Sequence, residues 1–111
     1  MEITSRKVEE KIIVSINGRL DAVSAPEFQN ALLGFIDEGA TNLLLEFGGV
    51  DYISSAGLRS ILVVAKKLRT GQGELSVAML QDTVKEVFEI SGFSSILPVF
   101  DTVDAALAAL S

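Results

Sequence analysis

The chain has 111 residues, of which 49% are hydrophobic and 22% charged, and its formal net charge is −6. These values suit one globular domain across residues 1–111 rather than a disordered chain. Because the sequence contains neither cysteine nor histidine, it excludes disulfides, thiolate or ordinary zinc sites and histidine-based hydrolytic triads, and its acidic charge argues against nucleic acid and anionic lipid as partners.

The first third of the chain predicts two strands and a helix. The strands are expected at 2–8 and 11–17, since apolar residues alternate in the second of them. Glu9 and Glu10 between the two strands predict a hairpin turn. A helix is predicted at about 25–38, with Ser24 as N-cap, Pro26 in the first turn and Glu27 completing a capping box.

The remaining elements alternate in the same way. The expected strands are 43–47, 75–80 and a short edge strand at 96–100, and the expected helices are 56–69, 82–91 and 102–110 with Asp101 as the last N-cap. Gly48 and Gly49 are interpreted as a turn that opens a loop over 48–57. The predicted fold class is α/β, a mixed sheet of four or five strands with about four helices packed over it.

Two adjacent serines, Ser54 and Ser55, directly precede the second helix. Backbone N–H groups are unpaired at a helix N-terminus, so a hydroxyl there can cap the helix and a phosphate there would be stabilised. Ala56 and Gly57 keep the first turn small, which would let a partner's active site approach. On local chemistry alone, a plain capping serine is the commoner interpretation.

The segment Asp51-Tyr52-Ile53-Ser54-Ser55-Ala56-Gly57-Leu58 resembles the signature loop of the STAS-domain anti-sigma factor antagonists. The resemblance covers nearly the whole chain and implies a single STAS domain. Gly18-Arg19-Leu20-Asp21 matches the family's Gly-x-Leu-Asp after its second strand, and Ile90-Ser91-Gly92-Phe93 gives supporting similarity after the third helix.

The resemblance implies a phosphoprotein that switches partners. In that family, an anti-sigma factor that is also a serine kinase phosphorylates one serine of this loop, and the unphosphorylated antagonist binds the anti-sigma factor and frees its target. A PP2C-type phosphatase reverses the modification. The matching position is Ser55, with Ser54 as the alternative, and the residues implied in partner binding are Asp21, Tyr52, Ser54, Ala56, Gly57 and Leu58.

Some of these residues could have a structural role instead of a functional one. Asp21 is implied either to orient the Ser55 hydroxyl or to contact the kinase, and it could equally be a turn aspartate bonded to nearby backbone. Tyr52 is either a docking or a core residue, while Ile53 is expected in the core. Glu9, Glu10, Asp37 and Glu38 are expected to form a solvated surface.

Two other functions compete with the phospho-switch. One is a constitutive STAS scaffold in a larger signalling or transport assembly. The other is an enzyme or small-ligand carrier, which is disfavoured because no phosphate-binding motif or metal cluster is visible. We expect a cytoplasmic protein, because no apolar run reaches the ~20 residues of a membrane span and the N-terminus lacks a signal-peptide pattern. We also expect it to be a non-enzymatic monomer or weak dimer with no cofactor.

Overall fold

The computed structural model describes residues 1–110 and confirms the predicted α/β class. The strands are β1 Glu2–Val8, β2 Lys11–Leu20, β3 Asn42–Ile53, β4 Glu74–Ala78 and β5 Val99–Phe100. The helices are α1 Ala25–Asp37, α2 Ser55–Thr70, α3 Asp82–Ile90 and α4 Val103–Leu110, with a short 3₁₀ turn at Phe93–Ser95. No helix within residues 1–110 is long and apolar enough to cross a bilayer.

All five strands form one mixed sheet in the order β1-β2-β3-β4-β5. β1 runs antiparallel to β2, and the other three pairings are parallel. The hairpin turn between β1 and β2 lies at Glu9 and Glu10 as expected, and Glu9 adopts a positive φ of 55°. Because β2, β3 and β4 are parallel, their carboxyl ends meet at one edge of the sheet, where the candidate serines lie.

Apolar side chains cover both faces of the sheet. On one face, α1, α2 and α3 bury a large cluster in which the ring of Phe47 lies between those of Phe28 and Phe88, at centroid distances of 6.3 and 6.4 Å. On the other face, Ala106 of α4 packs with Ile13, Leu44 and Ala78. The two layers hold the strand ends, and the loops attached to them, in fixed positions.

The predicted loop over 48–57 is wrong, because β3 continues to Ile53. Gly48 and Gly49 do not form a turn; they lie at an irregularity in the pairing of β2 with β3, after which Asn17 pairs with Gly49 and Leu20 with Ile53. The Gly48 N–H donates to Glu46 Oε1 at 3.0 Å, and a Cβ on Gly49 would collide with Asn17 Oδ1. Glycine therefore lets the strand pass this irregularity and resume its ladder.

Two predicted helix caps and one strand also differ from expectation. Ser24 is the N-cap residue of α1, as predicted, but its oxygen accepts the Asp21 N–H at 3.0 Å rather than an N–H of the helix, and its hydroxyl donates to the Arg19 carbonyl at 2.7 Å. The first turn of α4 is capped by Thr102 Oγ1, which accepts the Ala105 N–H at 3.0 Å, so Asp101 is not the cap. The strand predicted at 96–100 shortens to Val99–Phe100, because the chain before it takes the 3₁₀ turn.

Candidate functional site

A single residue, Ser54, separates the end of β3 from the start of α2. Its backbone is extended, with φ −100° and ψ 173°. The Ser54 N–H donates to the Leu20 carbonyl at the end of β2, with an N to O distance of 2.9 Å. This bond anchors the N-terminus of α2 to the carboxyl edge of the sheet, beside the turn that carries Asp21.

The two serines have different structural roles. Ser54 is the N-cap of α2, and its Oγ accepts the backbone N–H of Gly57 at 3.2 Å. Ser55 is the first residue of the helix, and its side chain is exposed. Within residues 1–110 the Ser55 hydroxyl has no hydrogen bond of its own. The structure thus places both predicted serines at the start of α2, where Ser54 is half-buried and caps the helix while Ser55 is exposed.

Gly57 lets the first turn of α2 lie directly against the strand ends. A Cβ at this position would come within 2.8 Å of Leu20 Cγ, 2.9 Å of the Leu20 carbonyl oxygen and 3.0 Å of Ile53 Cγ1. Such distances are shorter than any side chain tolerates without movement of its neighbours. Leu58 packs against the main core cluster from this turn, while Ala56 is half-buried beside it.

Asp21 organises the turn between β2 and α1. Its Oδ1 accepts the backbone N–H groups of Val23 and Ser24, each at 3.1 Å. The pKa of Asp21 lies below its ordinary value of 3.8, chiefly because the carboxylate accepts the Ser24 N–H. Partial burial raises this pKa, whereas the Ser24 hydroxyl, the Val23 N–H and the charge of Arg19 lower it further. No bond joins Asp21 to the Ser55 hydroxyl within residues 1–110, so the turn role is the one the structure displays.

Tyr52 is half-exposed and paired with a cation. Its ring centroid lies 4.2 Å from the guanidinium carbon of Arg19, and 42% of the residue is exposed. Arg19 Nε also lies 3.7 Å from Asp21 Oδ2. Ile53, by contrast, is only 6% exposed and belongs to the core, as expected. Sequence reasoning missed Arg19, because its contact with Tyr52 depends on the register between β2 and β3.

A shallow groove runs between α1 and α2 next to the exposed serine. We call it the α1–α2 groove; its lining residues are Ala22, Ala25, Pro26, Gln29, Asn30, Ala56, Arg59, Ser60 and Val63. The lining is mostly small or uncharged, with Arg59 as its charged member. Val63 in the groove and Val23 in the preceding turn are exposed apolar residues. Sequence reasoning missed this surface, because only the packing of the two helices creates it.

Glu9, Glu10, Asp37 and Glu38 are all exposed, which confirms the expected solvated surface. They lie in the β1–β2 turn and at the end of α1, next to the amino ends of β2 and β3. Ser54 lies at the opposite, carboxyl end of these strands. The predicted site residues, in contrast, gather where β2 and β3 end and α1 and α2 begin. The candidate site is therefore a compact patch centred on Ser55, with Arg19 and Asp21 beside it at the end of β2 and Arg59 in the adjoining groove.

Comparison with known proteins identifies the family of this fold and site. The STAS domain family model matches residues 2–106. BtrV of Bordetella bronchiseptica, named an anti-sigma factor antagonist, is 44% identical over 109 residues, which cover 98% of this chain and 94% of BtrV.

Two solved structures have the same fold. An anti-sigma factor antagonist of Thermotoga maritima superimposes with a TM-score of 0.93 at 20% identity, covering 96% of this chain and 92% of that one. The Bacillus cell fate determinant SpoIIAA, solved in its phosphorylated form, superimposes with a TM-score of 0.76 at 19% identity, covering 99% and 100%. The chain belongs to the STAS domain family of anti-sigma factor antagonists.

Proposed function

We propose that this protein, when unphosphorylated, binds an anti-sigma factor that is also a serine kinase, and that phosphorylation of Ser55 ends the interaction. A PP2C-type phosphatase restores the binding form. The name of BtrV supports the kind of partner, and the phosphorylated form of SpoIIAA supports modification of this fold. In this function the protein is a binding partner and a kinase substrate rather than a catalyst.

The observation that carries the proposal is the difference between the two serines. A kinase must place the acceptor hydroxyl in line with the γ-phosphate of ATP, so the hydroxyl must be reachable and free to move. Ser55 meets this requirement, because it is exposed at the first residue of α2. Ser54 meets it less well, because it is half-buried and its oxygen already accepts the Gly57 N–H.

The surroundings of Ser55 explain why one phosphate would end binding. Ala56 and Gly57 are small residues, so the first turn of α2 protrudes little from the surface. Val23 and Tyr52 expose apolar surface nearby. A partner that covers such a patch removes its water. A phosphoserine carries about −1.5 to −2 charges at pH 7, and transferring that charge from water into an apolar contact is unfavourable unless the partner supplies a complementary group. The phosphorylated form therefore loses the partner.

The test is to locate the phosphate after incubation of the protein with ATP and its anti-sigma factor kinase. Wild type, Ser54→Ala and Ser55→Ala form a matched set, and peptide mass spectrometry assigns the modified residue. We expect phosphate on Ser55 in wild type and in Ser54→Ala, and none in Ser55→Ala. Phosphate on Ser54 of wild type would overturn the choice of residue, and an unmodified protein with an active kinase would overturn the function.

A further inference from the structure

Arg59 lies one helical turn after Ser55 on the exposed side of α2. Residues four apart on a helix are neighbours on its surface, with Cβ atoms roughly 5–6 Å apart. Within residues 1–110, Arg59 forms no salt bridge and no side-chain hydrogen bond. It is therefore a free cation within reach of the proposed phosphorylation site.

The direction of helical side chains brings the two residues together. Side chains lean toward the N-terminus of their helix, so Arg59 has rotamers that carry its guanidinium over the turn that begins with Ser55. An anion four residues before a cation is also the more favourable order of such a pair. The planar guanidinium can donate two parallel hydrogen bonds to a phosphoryl group, which a lysine cannot do in the same geometry.

Other charged residues near the site are less suited to this role. Arg19 already lies over the Tyr52 ring and 3.7 Å from Asp21. Lys66 and Lys67 lie at least seven residues beyond Arg59, toward the opposite end of α2. The first turn of α2 contains no acidic residue that would compete for Arg59.

We propose that Arg59 is this protein's own counter-ion for phosphorylated Ser55. The proposal rests on the proposed function, in that Ser55 is the residue modified. Its consequence is that phosphorylation changes the patch twice. It adds an anion at Ser55, and it withdraws the free cation at the rim of the α1–α2 groove from any acidic group of a partner.

The test titrates a phosphoserine that is placed at position 55 by genetic encoding, so that no kinase is needed. Phosphorus NMR measures the second pKa of the phosphoryl group, which is near 6 in the absence of partners. Arg59 favours the dianion, so Arg59→Gln should raise this pKa by about 0.2 to 0.4 units relative to wild type. Arg59→Lys should recover part of the difference.

Lys66→Gln is the matched control, because it removes the same charge from the same helix farther from Ser55. Screening at physiological salt should leave its titration close to that of wild type. Equal pKa values in wild type and Arg59→Gln would overturn the proposal, as would an equal shift in Lys66→Gln. The encoded phosphoserine makes this result independent of kinase activity, so failure here is distinct from failure of the proposed switch.

Discussion

The hydroxyl oxygen of Ser54 lies 3.2 Å from the backbone nitrogen of Gly57 and accepts its hydrogen bond. This bond satisfies one of the otherwise unpaired N–H groups at the start of α2. Ser54 therefore has a structural role as the N-cap of α2, while the next residue, Ser55, stays exposed. The two neighbouring hydroxyls are chemically alike, and the helix start makes them different.

Substitution of the two serines should affect stability unequally. Ser54→Ala removes the N-cap and should lower the free energy of unfolding by about 1 kcal/mol. Ser55→Ala removes an exposed hydroxyl without a bond and should change it by less than about 0.5 kcal/mol. Urea denaturation of both variants measures the difference. Equal losses would contradict the separate roles assigned to the serines.

The close approach of α2 to the sheet makes Gly57 intolerant of a side chain. Gly57→Ala should lower the free energy of unfolding by about 1 to 3 kcal/mol, because its Cβ would overlap Leu20 and Ile53. Gly34→Ala in α1 is the control, since a Cβ there meets nothing within 4 Å. Alanine at position 34 should be neutral or stabilising, by up to about 1 kcal/mol. A Gly57→Ala protein as stable as wild type would show that the helix start is not tightly seated.

The contribution of Asp21 should depend on pH. Its folded pKa is lowered, chiefly by the Ser24 N–H, so the ionised carboxylate stabilises the fold above the ordinary value of 3.8. That contribution should decline as the pH falls through 3.8 toward the lower folded pKa. Asp21→Asn keeps the side-chain shape and removes the charge. Urea denaturation of both proteins between pH 7 and pH 3 should show their stability difference shrinking in acid; a constant difference would contradict the assignment.

Most of the fold could be predicted from the sequence, because its signals are local. Alternation in β2, the helical spacing of apolar residues in α1 and α2, and the short connections led to the mixed α/β sheet. The continuation of β3 could not be predicted in this way. Gly48 and Gly49 read locally as a turn, but the strand continues because β2 supplies pairing partners for it. Ser24 occupies the predicted N-cap position, but its backbone is helical, with φ −88° and ψ −17°, and its oxygen accepts the Asp21 N–H instead of an N–H of α1.

The site was predictable only in outline. The position of the serine pair at the start of a helix follows from the sequence, although α2 begins at Ser55 and only Ser54 precedes it. Which of them caps the helix depends on backbone geometry at the end of β3, where only Ser54 is extended and able to reach Gly57. The contact of Arg19 with Tyr52 and the α1–α2 groove depend on strand register and helix packing, which a single sequence does not contain.

The central claim is that the chemical state of Ser55 decides whether the partner binds, and calorimetry with the anti-sigma factor tests it most directly. Ser55→Ala imitates the unphosphorylated state and should bind with the affinity of unmodified wild type, with or without ATP. Ser55→Glu places a negative charge in the contact and should bind at least about tenfold more weakly, a difference of roughly 1.4 kcal/mol. Equal dissociation constants for the two variants would contradict the account.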